Sequence, residues 1–395
     1  MTMNHLNVQA GLQVKIDAYN SVAKLFCLVV IALIVCSPSF VCANGTIVAW
    51  GYDYEGQTNV PIGLSNVTVI SSEDATSLAL SNGTVTAWGS CSVTRMTNAV
   101  TVAGGGLFCL ALRADGTVAA SGTYCGPGPG ILEPEPTMPV PIGLSNVVSI
   151  AAGHDHGLAV RADGTVMAWG NNDYGQTNVP AGLSNVVMVA GGFGHTLALR
   201  VDGTVAAWGN NAQGETNVPA GLSNIVAIAA GYDHNLALKA DGTVVGWGLN
   251  DAGDISIPSG LSNVVAIACG AYHSLALRAG GTVIAWGINT YGETSVPIGL
   301  SNVVAIAAGD AHSMALINSE RPIQQPSLTN PLRGNGMFSL SLPTQNGHVY
   351  RLEFKKSLAD NSWMTWPLIP GNGNSQTLTD SAATNSQCFY RVRQW

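Results

Sequence analysis

The sequence predicts an all-β fold made of repeats that close into a ring, and three observations predict it. Glycine is abundant, 47 of 395 residues, and only 10% of residues are charged, a balance too apolar for a disordered chain. Gly-Asx turns join short runs of Val, Ile, Ala and Leu, the pattern of successive strands. A segment close to Asp-Gly-Thr-Val-x-Ala-Trp-Gly occurs seven times, and its last four tryptophans, Trp169, Trp208, Trp247 and Trp286, stand 39 residues apart. The repeat also begins and ends out of phase. Residues 44–51 supply its second half and residues 307–316 its first half.

The chain opens with a leader. Residues 25–36 are an apolar run after Lys24, broken by Ser37-Pro38-Ser39 and followed by the small-residue site Val41-Cys42-Ala43. This predicts a secretory signal peptide over residues 1–43 and a mature protein that is secreted, periplasmic or at the cell surface. The run is about half the roughly 20 residues of a spanning helix, so no membrane span is expected after cleavage. Removal of Lys15, Lys24 and Asp17 shifts the net charge from −8 to −9. With no Lys/Arg cluster, that acidity argues against nucleic-acid binding. Cys91, Cys109, Cys125, Cys269 and Cys388 remain, an odd count that leaves at least one thiol unpaired. Cys91 and Cys125 follow a repeat's Gly at similar offsets in adjacent repeats, and their pairing is one hypothesis; two free thiols is the other.

Residues 44–317 hold the repeats. The run Val-Val-Ala-Ile-Ala at 264–268 predicts an inner strand buried on both faces. His-Ser-Leu-Ala-Leu-Arg at 273–278 alternates, a Gly-containing turn follows, and residues 282–287 return. In other repeats that turn is Asp-Gly, the hairpin dipeptide in which both residues tolerate positive φ. A Val-Pro-x-Gly-Leu-Ser-Asn linker ends each unit, because Pro cannot donate to a ladder. Such a unit must stack on neighbours as a blade or a solenoid turn. The complementary half-repeats at the two ends select the ring: paired, they complete a seventh blade and remove both open edges. The expected architecture is a seven-bladed β-propeller closed by the mature N-terminal strand.

The Ala-Gly-x-x-His-x-Leu-Ala-Leu and Asp-Gly-Thr-Val-x-Ala-Trp-Gly segments resemble the regulator-of-chromosome-condensation repeat, which forms seven-bladed propellers. The resemblance covers residues 44–317. With Gly-Gln-Thr-Asn-Val-Pro at 56–61 and 175–180, the chain is similar to secreted bacterial members of the β-lactamase inhibitory protein II type. That resemblance implies binding of a class A β-lactamase, or a related enzyme, through one face of loops. Thr76, Phe108 and Ser121 depart from the repeat pattern.

Residues 318–331 are polar and Pro-rich and read as a linker. Residues 332–395 then read as a small β-sandwich module, with strands at 338–343, 348–354, 363–369 and 388–395. Tyr350, Leu352, Glu353 and Phe389, Tyr390, Arg391 resemble modules that recur at the C-termini of secreted bacterial proteins. Trp363 and Trp366 suit core packing, or stacking on a sugar.

Candidate sites come from comparing the repeats with one another. His156, His195, His234, His273 and His312 recur every 39 residues. Arrayed around a ring, they cannot converge on one metal ion, so they read as structural hydrogen-bonding groups, and the tryptophans as packing between blades. His154 breaks the repeat and is freer to function. Residues that vary between repeats are released from holding the fold. One such set precedes the repeated histidine: Asp155, Phe193, Tyr232, Asp233, Tyr272 and Asp310. The other follows Trp-Gly: Tyr52, Tyr54, Tyr174 and Tyr291, with Gln213 and Asp251 at the same place in two repeats. Aromatic loop residues are good partner anchors, since they bury much area at small entropic cost. The Pro-rich insert at 126–141 is a further contact candidate or a tolerated insertion.

No GxSxG, HExxH or P-loop is present, so no catalytic residue, metal ligand or cofactor is assigned. The expected function is a monomeric, non-catalytic scaffold that binds a protein, in its concrete form an extracellular or periplasmic enzyme that it inhibits. The alternative is a glycan- or cell-surface-binding protein.

Overall fold

The computed structural model describes residues 14–15, 45–91, 93, 96–122, 138–317, 329–334, 337–344, 349–355, 364–365, 368–371, 375–380 and 389–394. Cys125, Cys388, Trp363, Trp366 and most of the 126–141 insert lie outside them.

Between residues 46 and 317 the chain forms three-stranded antiparallel sheets, numbered here along the chain. Sheet one is Val67–Glu73, Thr76–Ser81 and Thr84–Gly89. Sheet two is Ala99–Gly104, Phe108–Arg113 and Val118–Gly122; sheet three is Val147–Ala152, His156–Arg161 and Val166–Gly170. Sheets four, five and six begin at Val186–Gly191, Ile225–Ala230 and Val264–Cys269 and repeat the same plan. Sheet seven joins the two ends of the repeat region: Val303–Ala308 and His312–Ile317 are completed by Thr46–Gly51. Thr46 pairs with Ile317 and Gly51 with His312. The out-of-phase ends therefore close on each other as the sequence predicts.

The middle strand of each sheet, not the first, is the fully buried one. His273 through Leu277 are all buried, whereas Val265 through Ala268 of the first strand are only half-buried. The middle strand has a ladder partner on both sides. The first strands of successive sheets pack against each other and line the centre of the ring. Ile, Val and Ala there suit a strand that is partly exposed on the inside.

The hairpin turn also differs from expectation. In Lys239-Ala240-Asp241-Gly242-Thr243 only Gly242 takes positive φ, +85°. The Gly242 amide donates to the Lys239 carbonyl at 2.9 Å, and the Lys239 amide to Thr243 at 2.8 Å. This is a type I turn closed by a glycine bulge. Asp241 instead accepts from the Thr243 amide and hydroxyl, at 2.9 and 2.6 Å. Between sheets, the Asn of each Leu-Ser-Asn linker is left-handed, from Asn66 at φ 55° to Asn302 at 57°. Asn is among the few residues that tolerate this conformation.

The C-terminal part forms two further sheets. Thr329–Gly334, Met337–Pro343 and Ser375–Asp380 make one, and Thr329–Gly334 begins inside the segment read as linker. Val349–Lys355 centres the other, flanked by Phe389–Gln394 on one side and by the short strands Met364–Thr365 and Ile369–Pro370 on the other. Phe338, Leu340 and Leu342 from the first sheet pack with Tyr350 and Leu352 from the second. Val14–Lys15, within the leader, pairs with Phe389–Gln394. This part touches sheet four: the Leu368 amide donates to Val201 at 2.9 Å, and Leu368 is buried in the core cluster of that region. Among the described residues no helix is long and apolar enough to cross a membrane.

Candidate binding face

The repeated histidines are framework residues. Each is buried and reaches the next sheet through Nε2: His156 to Thr196 at 3.0 Å, His195 to Asn235 at 2.7 Å, His234 to Ser274 at 3.1 Å and His273 to Ser313 at 3.0 Å. His312 crosses the seam to Ser72 and Ser77, at 2.7 and 2.9 Å. The receiving side chain in turn donates to a backbone carbonyl 20 residues earlier, as Ser274 does to Asp254 at 2.8 Å and Asn235 Nδ2 to Glu215 at 2.9 Å. Asn235 therefore offers only its oxygen to His195, and the Ser274 hydroxyl has spent its proton, so Nε2 carries the imidazole hydrogen. Burial pushes the pKa of His156, His234 and His312 down to about 3 and that of His273 to about 4. The rings stay neutral and are unsuited to proton transfer at neutral pH.

The tryptophan of the same sheet lands on the same carbonyl. Trp247 Nε1 donates to Glu215 and Trp286 Nε1 to Asp254, at 2.9 and 2.8 Å. Trp50 does so to Glu293 across 243 residues, at 2.9 Å, which locks the seam. One carbonyl thus takes two donors from the following sheet. The side chain below that carbonyl is buried and shapes the loop above it. Gln57, Gln176, Glu215 and Glu293 accept from the amides of Glu55, Tyr174, Gln213 and Tyr291 at 2.7–3.0 Å.

On this frame the two variable sets share one end of the sheets. His195 pairs across the ladder with Gly209, His234 with Gly248 and His273 with Gly287. The loop before each histidine therefore lies beside the loop after each Trp-Gly. The two are joined by backbone bonds, Leu249 to Asp233 and Ile288 to Tyr272, both at 2.9 Å. The glycine is required here: a Cβ on Gly248 would lie 2.4 Å from the Asp233 carbonyl oxygen.

The aromatic members of these loops meet. His154, Phe193, Tyr232 and Tyr272 form a continuous run over four successive sheets, with ring centroids 4.9, 4.0 and 5.7 Å apart. Across the face Tyr52 lies 4.7 Å from Tyr291 and 6.3 Å from Tyr54. Tyr174 lies over Gly194, whose Cβ would stand 2.9 Å from the ring. Tyr54, Tyr174, Tyr272 and Tyr291 are 80, 52, 38 and 56% exposed, which leaves them available for contact.

Carboxylates fill the rest of the face. Asp310 donates its amide to the Asp74 carbonyl at 3.0 Å, joining sheet seven to sheet one. Burial and the Asp74 charge push the Asp310 pKa up to about 6. Burial and Glu215 do the same for Asp233, again to about 6. Glu73 is also raised, by burial and by Asp310 and Asp74. Asp155 hydrogen-bonds His154 Nδ1 at 2.9 Å. Burial acts to lower the His154 pKa, but Asp155, Asp310 and Asp74 outweigh it and hold it above the ordinary value. Glu73 and Asp74 were missed in the sequence. Alignment of Asp74-Ala75-Thr76 with Asp310-Ala311-His312 reveals Asp74, while Glu73 stands where the other repeats have Gly309 and its equivalents. Among the described residues no group of three or more His, Cys, Asp or Glu side chains is placed to hold a metal ion.

Residues 147–176, 186–215, 225–254 and 264–293 match the Regulator of chromosome condensation (RCC1) repeat. These four segments are similar to RCC1 repeats. Each matched segment runs from the first strand of a sheet to the buried Gln, Glu or Asp that supports the next loop. The structure is similar to Prp20p of Saccharomyces cerevisiae, described with its binding properties to Gsp1p and histones. That likeness has 20% identity and a TM-score of 0.59, over 70% of this chain and 92% of that one. Yeast RCC1 (Prp20) in a structure with Kap60 bound gives 19% and 0.58, over 70% and 89%. Human WBSCR16 gives 18% and 0.54, over 70% and 99%. These likenesses establish an RCC1-like β-propeller fold. No curated protein sequence matches the chain.

Proposed function

We propose that this chain is a secreted, non-catalytic scaffold: a seven-bladed propeller with a C-terminal β-sandwich that binds a protein through the face bearing the variable loops. The observation that carries this reading is the aromatic run His154–Phe193–Tyr232–Tyr272, which crosses four successive sheets, half-buried at its first three rings and exposed at Tyr272. Large rings held by a rigid framework bury area at little entropic cost, which is what a partner surface needs. The five repeated histidines are buried and neutral and so serve the framework rather than proton transfer at that face. In the concrete form of the proposal the partner is an extracellular or periplasmic enzyme, a class A β-lactamase or a related enzyme, whose active site this face blocks.

The test is inhibition of a purified class A β-lactamase, with binding followed by calorimetry. Alanine at Tyr232, Asp233 and Tyr272 together weakens binding at least 100-fold if the face is the interface. A glycan array run in parallel decides the alternative. Glycan binding lost in the same triple variant, with no protein bound, replaces this reading by a sugar-binding one.

A further inference from the structure

In sheet two the framework clamp is missing its usual parts. In sheets one and four to seven a Ser or Thr hydroxyl, or an Asn amide, at the second position of the middle strand and a Trp on the third strand both donate to one carbonyl of the preceding loop. Ser77 and Trp88 do this to Gln57, at 2.8 Å each. Thr196 and Trp208 do it to Gln176, at 2.9 Å each. In sheet two the corresponding ladder pair is Cys109 and Ser121. No indole is present, and the preceding loop brings in Cys91. Its Sγ donates to the Leu107 carbonyl at 3.6 Å and lies 3.2 Å from where a Gly122 Cβ would be. Gly122 pairs with Phe108, one step along the ladder from Cys109–Ser121. A Cβ on Gly89 or Gly209 would stand 3.1 Å from Gln57 or Gln176, the loop residues whose carbonyls Ser77 and Thr196 reach, so Cys91, 3.2 Å from the Gly122 Cβ position, holds their place in sheet two and faces Cys109; both thiols are buried.

We propose that Cys91 and Cys109 are an oxidisable pair whose disulfide takes the place, in sheet two, of the two-donor clamp used by sheet one and sheets four to seven. The external oxidant is a small-molecule or protein disulfide. The Cys91 thiolate attacks one of its sulfurs and expels a thiolate, leaving a mixed disulfide on Cys91. Cys109 loses its proton and attacks the Cys91 sulfur, which releases the second external thiol. Two protein thiols are oxidised and one external disulfide is reduced. Cys91 is suited to attack first, because the neighbouring Cys109 lowers its pKa whereas Cys91 and burial raise that of Cys109. Sequence position alone offered Cys125 as the partner; the fold brings Cys109 to Cys91 instead.

Trypsin separates the three cysteines, because Arg95 and Arg113 divide them into a peptide ending at Arg95, residues 96–113 and residues 114–161. The full-length protein is incubated with oxidised glutathione, alkylated, digested without reduction and mapped by mass spectrometry, with chymotrypsin cleavage after Trp88 isolating Cys91. The expected product is residues 96–113 linked to the Cys91 peptide. Reduction lowers the melting temperature by roughly 5–10 °C. The Cys109→Ser variant restores the hydroxyl of Ser77 and Ser274 and melts at one temperature with or without reductant. Recovery of alkylated 96–113, or a link from the Cys91 peptide to 114–161, overturns the proposal. A Cys91–Cys109 link that leaves the melt unchanged on reduction overturns its clamping role.

Discussion

Sheets four to seven and sheets one and two solve the same joining problem differently. In sheets three to six a buried histidine donates to a Thr, Asn or Ser in the next sheet, and that residue and the tryptophan of its sheet share one carbonyl. Sheet one has Thr76 at the histidine place, facing sheet two, where the receiving position is Cys109. Sheet two has Phe108 there, and the receiving position in sheet three is Gly157. Where the imidazole is lost, the polar receiver is lost with it. A buried acceptor left alone costs more than an apolar pair of similar shape, so donor and receiver change together. The lesson is that the framework tolerates replacement by pairs and not by single residues.

The largest effect comes from breaking the seam. Deletion of residues 44–51 removes the third strand of sheet seven and the Trp50–Glu293 bond, and exposes the edge of His312–Ile317. The melting temperature should fall by on the order of 10 °C or more, or the cooperative transition should vanish, by calorimetry. An unchanged melt would contradict ring closure.

Next is the pairing rule. His195→Ala leaves Asn235 Oδ1 buried without its donor and should cost about 3 kcal/mol in denaturant unfolding. The double variant His195→Phe, Asn235→Gly copies the Phe108–Gly157 solution and should recover part of that loss. Equal or greater loss in the double variant would break the comparison. Trp286→Phe deletes one donor to the Asp254 carbonyl while Ser274 still donates to it, and should cost only about 1 kcal/mol.

Acid sharpens the picture. The five framework histidines have lowered pKa values, so below about pH 6.5 the unfolded chain takes up protons that the fold refuses. That removes stability as pH falls. Asp233 and Asp310, raised to about 6, act oppositely: between about pH 6 and 4 the fold takes up protons first, which adds stability. Stability should therefore decline gently from pH 6.5 to 4 and steeply below. Asp233→Asn with Asp310→Asn should raise stability at pH 7 and steepen the decline between pH 6 and 4, read as melting temperature against pH.

The smallest effect on stability belongs to the face itself. Tyr54→Ala and Tyr291→Ala change exposed rings and should shift unfolding by less than about 0.5 kcal/mol each. A larger loss would mean these tyrosines serve the fold.

Much of this fold was legible in the chain, because repetition displays structural duty directly. Residues repeated in most units, such as His195 and Trp208, are the buried ones, and residues that vary, such as Phe193 and Tyr174, lie in loops. The turn at Asp241-Gly242 and the burial of the middle strand were not legible. Both depend on which carbonyl an amide meets and which strand has two neighbours. By itself the sequence determined the repeat, its strands and the complementary ends that close it, since period and phase are properties of chain order. Only the tertiary structure decided that the two variable sets share one face, that His154 joins the aromatic run and that Cys91 meets Cys109. Those are matters of register across strands and of contact between sheets, and spacing along the chain does not encode which side chains stand opposite one another.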